Sequence, residues 1–138
     1  MEEEICKVLL KESELSLKTK DVPVGAVLVR NNTIISKGHN TREKDHSIIS
    51  HAEINCITKA SKKLKRWHLE DCTLYVTLKP CSMCESIIKQ SRISGVVYFV
   101  DKPDEKKEYN KTHFMSETNA FSKQYAILLR QFFEKNRK

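Results

Sequence analysis

His51 and Glu53, separated by Ala52, are followed thirty positions later by Pro80-Cys81-Ser82-Met83-Cys84. One imidazole and two thiolates fill three of the four positions of a tetrahedral zinc ion and leave one open, which distinguishes a catalytic site from a structural one. Taken alone, Cys-x-x-Cys is shared by structural, redox and chance arrangements, and a single histidine is more often a satisfied polar residue than a ligand. The conjunction of His-x-Glu with Pro-Cys-x-x-Cys is much narrower, because it is the pattern of zinc sites that remove an amino group from a nucleobase by hydrolysis. A closed structural site would need a fourth ligand. His39, His46 and His68 have the right chemistry, but none has a matching partner at short range. An ion held by His51, Cys81 and Cys84 would activate water near neutral pH for attack on the ring carbon bearing the amine. Glu53, two residues from the ligand histidine, is the expected catalytic proton carrier: it takes a proton from water, passes it to the adjacent ring nitrogen and helps ammonia depart.

The frame around this motif is that of a soluble domain. A chain of 138 residues, 39% hydrophobic and 31% charged, is read as a single domain over residues 1–138, long enough for one core. No apolar run is long enough for a membrane partner. The start Met1-Glu2-Glu3-Glu4-Ile5-Cys6 has no basic and apolar leader, so the expected compartment is the cytoplasm, where thiols stay reduced. Five cysteines argue against a disulfide framework. Cys6, Cys56 and Cys72 sit among apolar residues and read as small buried hydrophobes. The formal charge of +7 favours a polyanionic partner.

Apolar spacing predicts a helix over 2–18, ended by Pro23. A buried strand over 22–29 follows, then a turn at Asn31-Asn32 and a return strand from 33 to 36, with Gly38-His39-Asn40 closing it. Residues 41–50 read as a loop. His51 opens a second helix, 73–78 is a β-branched and aromatic strand, and Pro80 precedes a third helix. A fourth strand covers 95–100, a charged loop 101–111, a short strand 113–118 and a closing helix 121–137. This order is α/β, with helices packed around one mixed sheet. Both ligand segments then open helices that follow sheet segments, so that two helix starts, with their positive dipole ends, can converge on one point.

Together these residues resemble the cytidine deaminase superfamily, most closely its bacterial tRNA-specific adenosine deaminase branch. The likeness extends to Asp21-Val22-Pro23-Val24-Gly25-Ala26-Val27-Leu28-Val29, Gly38-x-Asn40, Leu74-Tyr75-Val76-Thr77-Leu78-x-Pro80-Cys81, Ser91-Arg92-Ile93 and the closing Phe132-Phe133. The resemblance implies a three-layer α/β/α fold with a central mixed sheet of about five strands, and one catalytic zinc ion per subunit of a homodimer. Its implied substrate is the wobble adenosine in the anticodon stem-loop of an arginine tRNA, converted to inosine. Asn40 and the backbone of Ala52 would hold the flipped base, Val24 would line its pocket, and Lys135, Arg137 and Lys138 would meet anticodon phosphates. Three positions depart from the pattern: Lys79 replaces a glutamate, Phe99 replaces a glycine, and the 101–111 segment lacks glycine. A deaminase of a free base or nucleotide, of cytosine or guanine type, is the alternative. The fungal-type cytosine deaminase has glycine where Ala52 stands. A catalytically dead RNA-binding partner would tend to lose the carboxylate that Glu53 supplies.

Overall fold

The computed structural model describes residues 1–101 and 113–135. The charged segment after Asp101 and the residues Arg137 and Lys138 lie outside the described residues. Along the chain run α1 (Glu2–Leu17), β1 (Gly25–Arg30), β2 (Thr33–His39), α2 (Arg42–Asp45), α3 (Ala52–Leu64), β3 (Thr73–Leu78), α4 (Ser82–Gln90), β4 (Gly95–Val100), β5 (His113–Ser116) and α5 (Ala120–Lys135). The strands form one sheet in the order β2-β1-β3-β4-β5. β1 is antiparallel to β2 and β3, while β3, β4 and β5 are mutually parallel. The mixed sheet and the three layers expected from the sequence are both present.

Alternation along the central strands separates the layers, since successive side chains point to opposite faces. Ala26, Leu28, Val96 and Tyr98 pack with Ala52, Cys56, Ile57 and Ala60 of α3 and Ile88 of α4. Val27, Val29, Val97 and Phe99 face the other way, onto Ile5 and Leu9 of α1 and Phe121 and Tyr125 of α5. Phe99 meets Phe121 edge-on with ring centroids 5.1 Å apart, so this departure from the family pattern fills the core between β4 and α5.

β5 ends at Ser116 rather than at 118, α5 begins one residue early at Ala120, and three larger differences from the periodicity have physical causes. β1 begins at Gly25 rather than Val22, because Pro23 has no N–H for a ladder. The carbonyls ahead of it are used elsewhere: Val22 and Val24 accept from the Asn40 side chain and backbone, and Pro23 accepts from the Tyr125 hydroxyl at 2.6 Å. β2 runs three residues past Ser36 to His39. Four residues of the expected loop form α2, which carries no apolar periodicity of its own and is capped from a distance by Asp21, whose carboxylate accepts from the backbone N–H groups of Glu43 and Lys44.

Gly38 fixes how α3 lies on the sheet. A Cβ there would stand 2.7 Å from the Cys56 nitrogen and 2.9 Å from the Ala52 carbonyl oxygen, so backbone meets backbone where β2 passes the first turns of α3. Gly38→Ala must push α3 off the sheet. The expected loss is about 1–3 kcal/mol, the usual cost of overpacking. It should appear as a lower urea midpoint, accompanied by weaker metal retention because α3 carries part of the site.

Candidate active site

His51 and Cys81 occupy equivalent places at the starts of two helices. Each is the N-cap residue with extended backbone, His51 at φ −72 and ψ 155, Cys81 at φ −73 and ψ 173. Their carbonyls accept the first-turn bonds, from Asn55 N at 3.0 Å and Glu85 N at 2.9 Å. Neither side chain caps its own helix. Both therefore project beyond the helix ends, and Cys84 joins them from the first turn of α4.

The three donor atoms lie within 4.8 Å of one another, the one such group of three among the described residues. His51 Nδ1 is 3.4 Å from Cys84 Sγ and 3.7 Å from Cys81 Sγ. A tetrahedral zinc with Zn–S about 2.3 Å and Zn–N about 2.0–2.1 Å separates its nitrogen and sulfur ligands by roughly 3.5–3.6 Å. The observed spacing and donor chemistry thus fit that ion.

The thiols are already polarised for the task. Hydrogen bonding from Cys84, then from His51, holds Cys81 at about 3, against a burial effect that opposes it. Cys84 moves upward, first through its bond to Cys81, then through burial and the neighbouring Glu53 charge. The opposed shifts favour a thiolate at Cys81 and a thiol at Cys84, whose proton a bound cation would displace. Cys6, Cys56 and Cys72 are pushed up by burial to about 11, about 12 and about 11.

Beside the donors opens a cleft of about 180 Å³. Glu53 borders it, 4% exposed and the second residue of α3. His51, Cys81, Val24, Asn40 and Ala52 line it as well, while Cys84 is fully buried behind them and Lys135 borders a different hollow. Asn40 is fixed at both polar ends: Nδ2 donates to the Val22 carbonyl at 3.2 Å, and Oδ1 accepts from Arg42 N at 3.1 Å. Each end of a side-chain amide has two hydrogen-bonding positions, so one remains at each end for a ligand.

Other contributors escaped the sequence reading. Arg42, Leu78, Lys79 and Phe133 also border the cleft, Phe133 arriving from the last helix. Lys79 is buried, with Nζ 4.0 Å from Asp101 and 5.7 Å from the Tyr98 ring centroid. Asn55 bonds the His39 carbonyl, at 2.8 Å, and the Thr41 hydroxyl, at 3.0 Å, fastening the segment that carries Asn40 to α3. Asn55 lies four residues after His51, on the same helix face, and that spacing was the signal available for it.

The profile of the cytidine and deoxycytidylate deaminase zinc-binding region matches residues 1–100. The chain belongs to this family of zinc-dependent deaminases. It is 39% identical over 143 residues to the tRNA-specific adenosine deaminase of Buchnera aphidicola subsp. Baizongia pistaciae, a match covering 96% of this chain and 87% of that one. It is 44% identical over 89 residues to the tRNA-specific adenosine deaminase of Streptococcus pyogenes, covering 64% of this chain and 56% of the relative. The chain thus spans only about half the length of the streptococcal relatives it matches. Among solved structures, one from studies of A-to-I editing by tRNA:A34 deaminases at the wobble position superposes with a TM-score of 0.74. Its identity is 28%, over 80% of this chain and 95% of that one.

Two outcomes test the donor set. In metal-free protein at neutral pH, iodoacetamide should modify Cys81 far faster than Cys6, Cys56 or Cys72, and zinc should protect it, as read by peptide mass spectrometry. Zinc uptake should release protons, and metal occupancy should fall as pH is lowered, because the ion competes with the proton held by the thiol pair. Calorimetry in buffers of different ionisation enthalpy measures that release.

Proposed function

We propose that the chain hydrolytically deaminates the wobble adenosine of an arginine tRNA anticodon to inosine, acting in the cytoplasm as a homodimer. The observation that carries this reading is the grouping of the His51, Cys81 and Cys84 donors beside the cleft that Glu53 and Asn40 border. The size of that cleft bears on the substrate. At about 180 Å³ it is smaller than the roughly 300 Å³ at which pockets for whole drug-sized ligands begin. It admits a base and leaves sugar and phosphate outside. A formal charge of +7 suits a substrate whose bulk is polyanionic, and the relatives named above are tRNA-acting.

Bound by His51, Cys81 and Cys84, a zinc ion supplies Lewis-acid activation of water. The chain's own residues do the rest. Glu53 accepts a proton from water, donates it to the ring nitrogen beside the reacting carbon, and then serves the departing amine. Its burial keeps the carboxylate away from bulk solvent while it cycles. Asn40 offers an N–H and an acceptor to the base edge, the Ala52 backbone adds a further polar contact, and Val24 packs against the ring. The hydrogen bonds from Asn40 to Val22 and from Arg42 to Asn40 orient that amide before substrate arrives.

Purified protein offered an arginine tRNA anticodon stem-loop with wobble adenosine, beside free guanine, cytosine and deoxycytidylate, should form inosine in the RNA alone. Ammonia from a free base, with the RNA untouched, would overturn the proposal. Glu53→Ala should retain zinc and fold while lowering kcat by at least about 10²–10⁴-fold, the range assigned to a general acid-base group.

A further inference from the structure

α3 and α4 both start at the cleft, and their opposite ends meet a different surface. There a shallow hollow is bordered by Trp67, Ile87, Lys89 and Arg92. Trp67 is the sole tryptophan of the chain and is 60% exposed. It is nevertheless held in place. The Arg92 guanidinium carbon lies 5.1 Å from the ring centroid, and the His68 ring meets it edge-on at 5.3 Å. Glu70 braces both neighbours, at 3.9 Å from Arg92 and 2.9 Å from His68.

Two cations, Lys89 and Arg92, and no acidic side chain are among the described residues that border this hollow. The nearby acids are engaged: Glu70 by His68 and Arg92, and Asp71 by Arg66 at 2.7 Å and Arg30 at 3.9 Å. An aromatic ring immobilised by a cation within a basic surround is the chemistry that stacks a nucleobase and neutralises its phosphates. A second copy of the chain is a poorer occupant. A two-fold contact places the same patch opposite itself and would set these cations against one another.

We propose that this face is a second RNA contact: Trp67 stacks on a base outside the segment that enters the cleft, and Lys89 and Arg92 take adjacent phosphates. The inference rests on RNA being the substrate. α3 has 13 residues, so its two ends are about 20 Å apart. At ~3.4 Å per nucleotide, a stacked strand spans that distance in roughly six nucleotides.

The test uses the sole tryptophan as its own reporter, in the full chain with Glu53→Ala to prevent turnover, titrated with the arginine tRNA used above. Trp67 emission should change as RNA saturates. Trp67→Leu should weaken RNA binding about tenfold, as should Lys89→Gln with Arg92→Gln. The latter pair should also reduce the slope of log affinity against log salt by roughly 1.4–1.8. In the otherwise wild-type background, the pair should raise KM and leave kcat at saturating RNA unchanged. Unaltered emission at saturating RNA, or unaltered affinity and salt slope in both variants, overturns the proposal. Protection of Trp67 from acrylamide in the free protein also overturns it and assigns the face to a second copy. Inosine formation by the unmutated chain is scored separately. RNA that changes Trp67 emission but is not deaminated defeats the proposed function and leaves the contact standing.

Discussion

Two thiols and a carboxylate lean on one another at the heart of this molecule, and the fold exists in a form that tolerates that crowding. The hydrogen bond between Cys81 and Cys84 lowers the Cys81 pKa and raises that of Cys84, and burial and the nearby Glu53 charge push Cys84 up further. Placing such groups together costs free energy unless something positive offsets them. Two helix N-termini do so in part, because their unpaired N–H groups and dipoles face the donors. The arrangement depends on α3 and α4 ending their approach within a few ångströms of each other, and much of the tertiary structure serves that convergence.

The sheet order makes it feasible. β3 and β4 are parallel neighbours, so the chain must cross over between them, and α4 is that crossover. Its start sits at the carboxyl end of β3 and carries both sulfur ligands. α3 reaches the same place by lying flat on β2 at Gly38. The opposite layer contributes the outer wall: the Tyr125 hydroxyl reaches the Pro23 carbonyl, 102 residues away in sequence, and thereby ties α5 to the strand entrance behind Val24. Phe133, two turns further along α5, then borders the cleft.

The three zinc donors and Glu53 were legible in the sequence because ligand chemistry dictates residue type and spacing, and both are local. β3 and β4 were legible because unbroken β-branched and aromatic runs admit few other readings. Asn40 and Val24 were reached only through family resemblance, since a turn asparagine and a core valine look ordinary. α2 was hidden for a different reason: Arg42-Glu43-Lys44-Asp45 is helical because Asp21 and Asn40 bond its backbone N–H groups from outside. Lys79, Leu78 and Phe133 border the cleft through the meeting of β3's end with α5, a tertiary juxtaposition that leaves no periodicity in the chain. Gly38 looked like a strand terminator, and only the passage of α3 shows why it lies within the strand.

The N-cap placement of His51 and Cys81 has a consequence for how the protein handles its cofactor. Their backbone carbonyls close the first turns of α3 and α4 through bonds that involve no ligand atom. The socket is therefore framed by peptide hydrogen bonds that use the backbone of His51 and Cys81 and leave their side chains for an ion. This differs from small zinc modules, in which the metal is the core. With the first turns of both helices closed by backbone bonds, loss of an ion would remove side-chain ligation without removing those bonds, so metal exchange would not require the whole fold to be rebuilt.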